Sequence, residues 1–212
     1  MKIAVIGATG KAGQAIVKEA LERGHEVTAV VRDRSKLPQS AVHVLEKDIF
    51  QLQASDLAAF DAVVNAFGAT LGQEKQHVEA GRVLIEAMKG APNTRLLVVG
   101  GAGSLYVDEA RTTRLYDTPE FPEPYLATAR NQGQNLFELE QAKDIRWTFV
   151  SPSAFFDPAG RRTAAYTAGQ DMLLINSQGQ SYISYADYAI AIVDEIEHPK
   201  HENRRFTVVG EA

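Results

Sequence analysis

Glycines at positions 7, 10 and 13 follow a short apolar run, Lys2 to Ile6, and open a stretch whose Ile16, Ala20 and Leu21 recur at helical spacing. The turn Gly7-Ala8-Thr9-Gly10-Lys11-Ala12-Gly13 is suited to cradling phosphate. Glycine lets the chain leave a strand abruptly, lets backbone N–H groups approach an anion, and lets the next helix pack close with its positive end toward that anion. The spacing is G-x-x-G-x-x-G rather than G-x-G-x-x-G, and both serve a dinucleotide pyrophosphate.

A second charged turn follows the next β-branched run, Glu26 to Val31, as Arg32-Asp33-Arg34-Ser35-Lys36. In a dinucleotide site this position reads the adenosine ribose, with an acid for NAD(H) and a base for NADP(H). A guanidinium at Arg32 can stack on adenine and pair with a 2′-phosphate, and Arg34, Ser35 and Lys36 add donors. NADP(H) is favoured, with NAD(H) as the alternative, because Asp33 lies at the distance where a carboxylate would accept from ribose. Asp48 and Ile49 follow a third run and are candidates to contact adenine, although Asp48 equally suits a cap. Ala66, Phe67 and Gly68 follow a fourth, where small residues let backbone pass close to a cofactor.

Strand-like and helical stretches that would position these turns alternate along the chain. Strands are expected at Lys2 to Ile6, Glu26 to Val31, Val42 to Leu45, Ala62 to Asn65, Leu96 to Val99, Trp147 to Val150 and Arg205 to Val209. Helices are expected at Ala12 to Arg23, Ser55 to Phe60, Glu74 to Met88, Ala129 to Lys143 and Tyr185 to Glu197. The alternation predicts an α/β fold with a doubly wound, mainly parallel sheet and helices on both faces. The whole chain, 1–212, reads as one domain. Two stretches break the rhythm, at about 104–124 and 151–170. Both follow expected strands, where open α/β sheets bind ligands.

With 45% hydrophobic and 23% charged residues the chain has a globular composition. The absence of cysteine excludes disulfides and cysteine nucleophiles, and a net charge of −5 argues against a broad nucleic-acid footprint. No apolar run reaches membrane-span length. A cytoplasmic protein, monomer or homodimer, with a small-molecule partner and neither nucleic acid nor membrane, is the expectation. Five scattered histidines, with only His198 and His201 close together, predict no metal site.

The chain resembles the atypical short-chain dehydrogenases/reductases, specifically the NmrA-like and NAD(P)H-flavin reductase group. The resemblance rests on the glycine turn, on Val99-Gly100-Gly101-Ala102-Gly103-Ser104-Leu105, on Trp147-Thr148-Phe149-Val150-Ser151-Pro152, and on Ser181 to Ala189. It implies a Rossmann-like fold, bound NADP(H), and reduction of flavins or related planar acceptors, with Ser104 and Pro152 among the cofactor contacts. Wider relatives pair a serine after the fifth strand with Tyr-x-x-x-Lys. Ser104 matches that serine and Tyr125 is the obvious tyrosine, which makes both the catalytic candidates. Four residues beyond Tyr125, however, stands Ala129, followed by Arg130. A guanidinium holds its proton at neutral pH and so cannot relay one.

Without that relay, a flavin or quinone-like acceptor is easier to serve than an alcohol or sugar. A flavin takes hydride at a ring nitrogen and spreads the charge, so stacking two flat rings is most of the task. Phe121, Tyr125, Phe155, Phe156 and Tyr166 could floor such a site, and Arg161 could meet an acidic group on FMN or FAD. The leading expectation is an NAD(P)H-dependent reductase. The alternatives are an NmrA-like redox sensor without turnover and a nucleotide-sugar epimerase or dehydratase. Ser184 to Asp187 reads as a helix cap.

Overall fold

The computed structural model describes residues 1–37 and 42–211. Strand β1 (Lys2–Ile6) lies at the centre of an eight-stranded sheet and is followed by α1 (Lys11–Glu22) and β2 (Glu26–Val31). Next come β3 (His43–Glu46), the single-turn α2 (Ala54–Leu57), β4 (Ala62–Asn65), α3 (Gln76–Lys89) and β5 (Arg95–Val99). The chain closes with α4 (Glu123–Gln141), β6 (Arg146–Ser151), β7 (Phe155–Asp157), β8 (Tyr166–Gly169), β9 (Tyr182–Ser184), α5 (Tyr185–Glu197) and β10 (Arg204–Gly210). The sheet order is β3-β2-β1-β4-β5-β6-β10-β8, parallel except for β8, which runs antiparallel to β10 at the edge.

The inner strands are apolar along their whole length because helices cover both faces. Alternate residues divide between two cores. Ile3, Val5, Val27, Ala29, Val64 and Leu97 face α1 and α5, whereas Ala4, Ile6, Val30, Val63, Leu96 and Val98 face α3 and α4. A one-residue slip of any of these strands would exchange its two sets, so the register is strongly specified. The doubly wound α/β reading therefore describes the observed architecture.

Three features depart from expectation. First, α4 starts at Glu123 rather than near Ala129, so Tyr125 sits in its first turn and not in a loop. Pro124 escaped recognition as a helix starter; proline is tolerated in a first turn because its missing N–H has no partner there anyway. Second, the 151–170 stretch contains β7 and β8, whose short runs carry little periodicity, and β7 pairs with β9 as Phe155↔Tyr182 and Phe156↔Ile183. Third, β3 is shifted by one residue from the expected span.

The strand order reverses direction at β1. From β1 the chain goes outward through α1 to β2, while β4 lies on the other side, so the C-terminal ends of β1 and β4 part and leave a crevice. The glycine turn sits at that point.

Candidate functional site

Gly7 leaves β1 at φ 74°, and a Cβ built on it would lie 2.6 Å from the carbonyl oxygen of Ala66 at the end of β4. A Cβ on Gly13 would overlap the carbonyl of Gly7. These two positions admit only hydrogen, and α1 is thereby drawn tight against the end of β1. The first turn of α1 contains no acidic side chain, and Gly10 at its N-cap supplies no capping group. A helix start left uncapped beside a crevice offers free N–H groups and a positive dipole end to an anion.

The crevice is a cleft of about 510 Å³. Gly7, Thr9, Gly10, Lys11 and Ala12 form one wall, Arg32 and Ile49 the end beyond β2, and Ala66, Phe67 and Gly68 the wall beyond β4. The structure thus brings together most of the residues expected to hold a dinucleotide. Ala8 and Gly13 are buried behind the turn and contribute by packing. Asp33 caps the following turn: its Oδ1 accepts from the Ser35 amide at 3.0 Å and the Ser35 hydroxyl at 2.5 Å, which holds its pKa below the usual range. Asp48 accepts from the Phe50 amide at 3.0 Å, so the capping reading of this residue describes what it does, and it does not line the cleft.

A second cavity, of about 1040 Å³, continues from the cleft. Phe121, Tyr125, Phe155, Phe156 and Pro152 all line it. Tyr125 and Phe155 are largely exposed at its mouth, at 64% and 61%. The Phe156 ring packs 3.9 Å from that of Tyr185 and 4.8 Å from the buried Tyr188. Pro152 therefore belongs to this cavity and not, as expected, to the dinucleotide cleft.

Three expected residues are not where the chemistry was placed. Ser104 is only 2% exposed and lines neither cavity; its hydroxyl accepts from Arg205 Nη1 at 2.9 Å and its carbonyl accepts from the same nitrogen at 3.0 Å. Burial and the Arg205 contact place this hydroxyl behind the walls of both spaces. Tyr166 donates to Asp194 Oδ2 at 2.8 Å, which with burial raises its pKa, and it too lies outside the cavity. Arg161 is exposed and lines neither space. Its neighbour Arg162 instead grips Glu19 of α1 through both Nε and Nη2, at 3.0–3.2 Å.

Five residues line both spaces and form the wall they share: Gly100, Thr128, Gln132, Phe156 and Tyr185. Among them only Phe156 was singled out from the sequence as a site residue. Tyr125, Thr128 and Gln132 belong to one face of α4, at the i, i+3, i+7 spacing that periodicity reveals once the helix start is known. Tyr185 follows Ser184, whose hydroxyl caps α5 by accepting from the Asp187 amide at 3.0 Å. The cap reading is thus right and concealed its neighbour. Lys47 and His77 also line the cleft and were not anticipated. Lys47 is paired with Asp56 at 2.6 Å, and burial pushes the His77 imidazole below its ordinary pKa.

Among the described residues no cluster of three or more His, Cys, Asp or Glu could hold a metal ion, and no helix is long and apolar enough to cross a membrane. His201 is tied to Glu195 at 2.8 Å and stacks on Phe206.

Comparison with known proteins agrees with this geometry. A family profile described as NAD(P)H-binding matches residues 7–199. The chain is 66% identical over all 212 residues to YwnB of Bacillus subtilis, an uncharacterized protein, with both chains covered completely. It is 26% identical to an NAD(P)H azoreductase of Xenophilus azovorans, across 98% of this chain and 68% of the other. Among solved structures, one from Streptococcus pneumoniae, named as a candidate NADH-flavin reductase, superposes with a TM-score of 0.94 at 46% identity over the full length of both chains. The uncapped glycine turn at the sheet's switch point and the profile that begins on it lead to one conclusion: the chain belongs to the NAD(P)H-binding family of Rossmann-like, atypical short-chain dehydrogenases/reductases.

Proposed function

We propose that this protein is an NAD(P)H-dependent reductase that passes a hydride to a planar, conjugated acceptor, a flavin or a quinone. The observation that carries the reading is the shared wall: a dinucleotide-shaped cleft and a larger aromatic cavity meet at Gly100, Thr128, Gln132, Phe156 and Tyr185. The likeness to a candidate NADH-flavin reductase and to an azoreductase supports the same class of acceptor.

The residues present fit a dinucleotide, because Gly7 and Gly13, where a Cβ would collide with backbone, close the turn tightly, and α1 offers an uncapped start on the cleft. Gly10, Lys11 and Ala12 would hold the pyrophosphate. Arg32, which lines the end of the cleft, would pair with a 2′-phosphate, and this favours the phosphorylated dinucleotide. When bound, the nicotinamide supplies the hydride. The protein then has to orient the acceptor and exclude water. Phe121, Tyr125, Phe155 and Phe156 give a flat ring an apolar seat beside the cleft. Positioning two flat rings at reacting distance is itself a large part of such catalysis.

The test is anaerobic oxidation of NADPH and NADH in the presence of FMN, FAD and simple quinones. Acceptor-dependent turnover, faster with NADPH, is the expected result. Saturable dinucleotide binding without turnover on any acceptor would instead leave the sensor reading standing.

A further inference from the structure

The wall shared by the two cavities contains one acidic proton, that of the Tyr185 phenol. Tyr185 lines both spaces, half-buried at the start of α5, with its ring fixed against Phe156 at 3.9 Å. Beside it on the same wall stand Thr128 and Gln132, four residues apart on α4. None of these three side chains hydrogen-bonds another of the described residues, and they are the polar side chains that line both spaces; Ser104, Tyr182 and Tyr188 nearby are committed to Arg205, Asp157 and the Val150 carbonyl. All three are partly exposed, so each is free to hydrogen-bond a polar ligand atom at the junction.

We propose that Tyr185 is the proton donor of the reaction and that the acceptor is a quinone, whose oxygen it protonates while Thr128 and Gln132 hold that oxygen in place. The proposal rests on the reductase reading above. Burial holds the Tyr185 phenol above its ordinary pKa, so it keeps its proton at neutral pH. The balance is simple. A hydride brings two electrons and one hydrogen to the quinone and leaves a hydroquinone monoanion. The Tyr185 O–H bond breaks, the hydroquinone O–H bond forms, and the tyrosinate regains a proton from water through the open mouth. The sum consumes one reduced dinucleotide, one proton and one quinone, and yields the oxidised dinucleotide and a hydroquinone. Donor and product are both phenols, so the proton passes between groups of the same chemical class. A flavin, which accepts hydride at nitrogen, would make little use of an oxygen-directed donor, and the flat aromatic cavity suits a quinone ring.

The test is Tyr185→Phe, which keeps the ring and its packing on Phe156. The expected kcat with a quinone falls by about 10²- to 10⁴-fold at unchanged KM, the span typical of a lost general acid. FMN reduction falls far less than quinone reduction, the melting temperature stays as in the parent, and Tyr185→His recovers part of the quinone rate. Unchanged quinone turnover in Tyr185→Phe, or an equal loss with FMN and quinone, overturns the role of Tyr185. Absence of turnover in the parent protein with every acceptor would defeat the reductase reading itself, which is a distinct result. Should Tyr185→Phe melt early, the solvent deuterium isotope effect on the parent's quinone rate decides: an effect of unity overturns the proposal.

Discussion

Arg205 donates from one nitrogen to both the hydroxyl and the carbonyl of Ser104, at 2.9 and 3.0 Å, and turns a residue expected in catalysis into a buried strut. The same guanidinium reaches Asp171 at 2.8–2.9 Å, so β10 anchors two loops at once. Ser104→Ala is therefore expected to keep NADPH-driven turnover near the parent level. It should cost about 1 kcal/mol of stability, because a buried charged donor loses one of its two acceptors on Ser104 and keeps the backbone carbonyl. Chemical denaturation alongside steady-state rates separates the two; loss of activity without loss of stability would restore a catalytic role to this serine.

Gly13→Ala tests the cradle. The added methyl would overlap the Gly7 carbonyl, a rigid backbone atom that cannot step aside. Overpacking of this kind costs about 1–3 kcal/mol, and the turn must open to admit it. A lower melting temperature together with weaker dinucleotide binding is expected by calorimetry, with Gly24→Ala, where a Cβ meets nothing within 4 Å but φ is 79°, as a comparison that loses stability without losing binding.

Arg32→Ala tests the cofactor preference. A charge-assisted bond to a 2′-phosphate is worth about 1.5–3 kcal/mol, so NADPH affinity should drop by roughly 10- to 100-fold while NADH affinity hardly moves. Parallel titrations with the two dinucleotides give the answer, and an undiminished preference for NADPH would assign the discrimination to another residue.

His77 couples stability to pH. Burial lowers its pKa in the folded protein beneath the unfolded value of about 6.5, so the unfolded chain binds the proton more readily. The stabilising contribution of the neutral imidazole is complete above the unfolded pKa and is lost as pH falls from there through the folded pKa. His77→Gln should flatten the decline of unfolding free energy below neutrality, as followed by urea denaturation at a series of pH values. A decline of the same slope in parent and variant would assign it to other groups.

The glycine turn and the sheet were legible because they depend on neighbours in sequence. Whether glycine is needed, whether a run alternates and whether a helix can start are decided within a few residues by sterics and side-chain period. The same locality explains the misreadings. The start of α4 was hidden by Pro122 and Pro124, and β7, β8 and β9 are too short to show a period.

By itself, then, the sequence determined that this chain builds a doubly wound sheet, that a dinucleotide cradle sits after its first strand, and that aromatic residues gather in the segments beyond β5 and β6. Tertiary structure alone decided which side chains face the shared space. The partner of Ser104 lies 101 residues away in β10, and Tyr185 meets Phe156 only because β7 and β9 pair beneath them. Side-chain direction at such places is set by long-range register and by competition for hydrogen bonds, and neither can be read from residues adjacent in the chain.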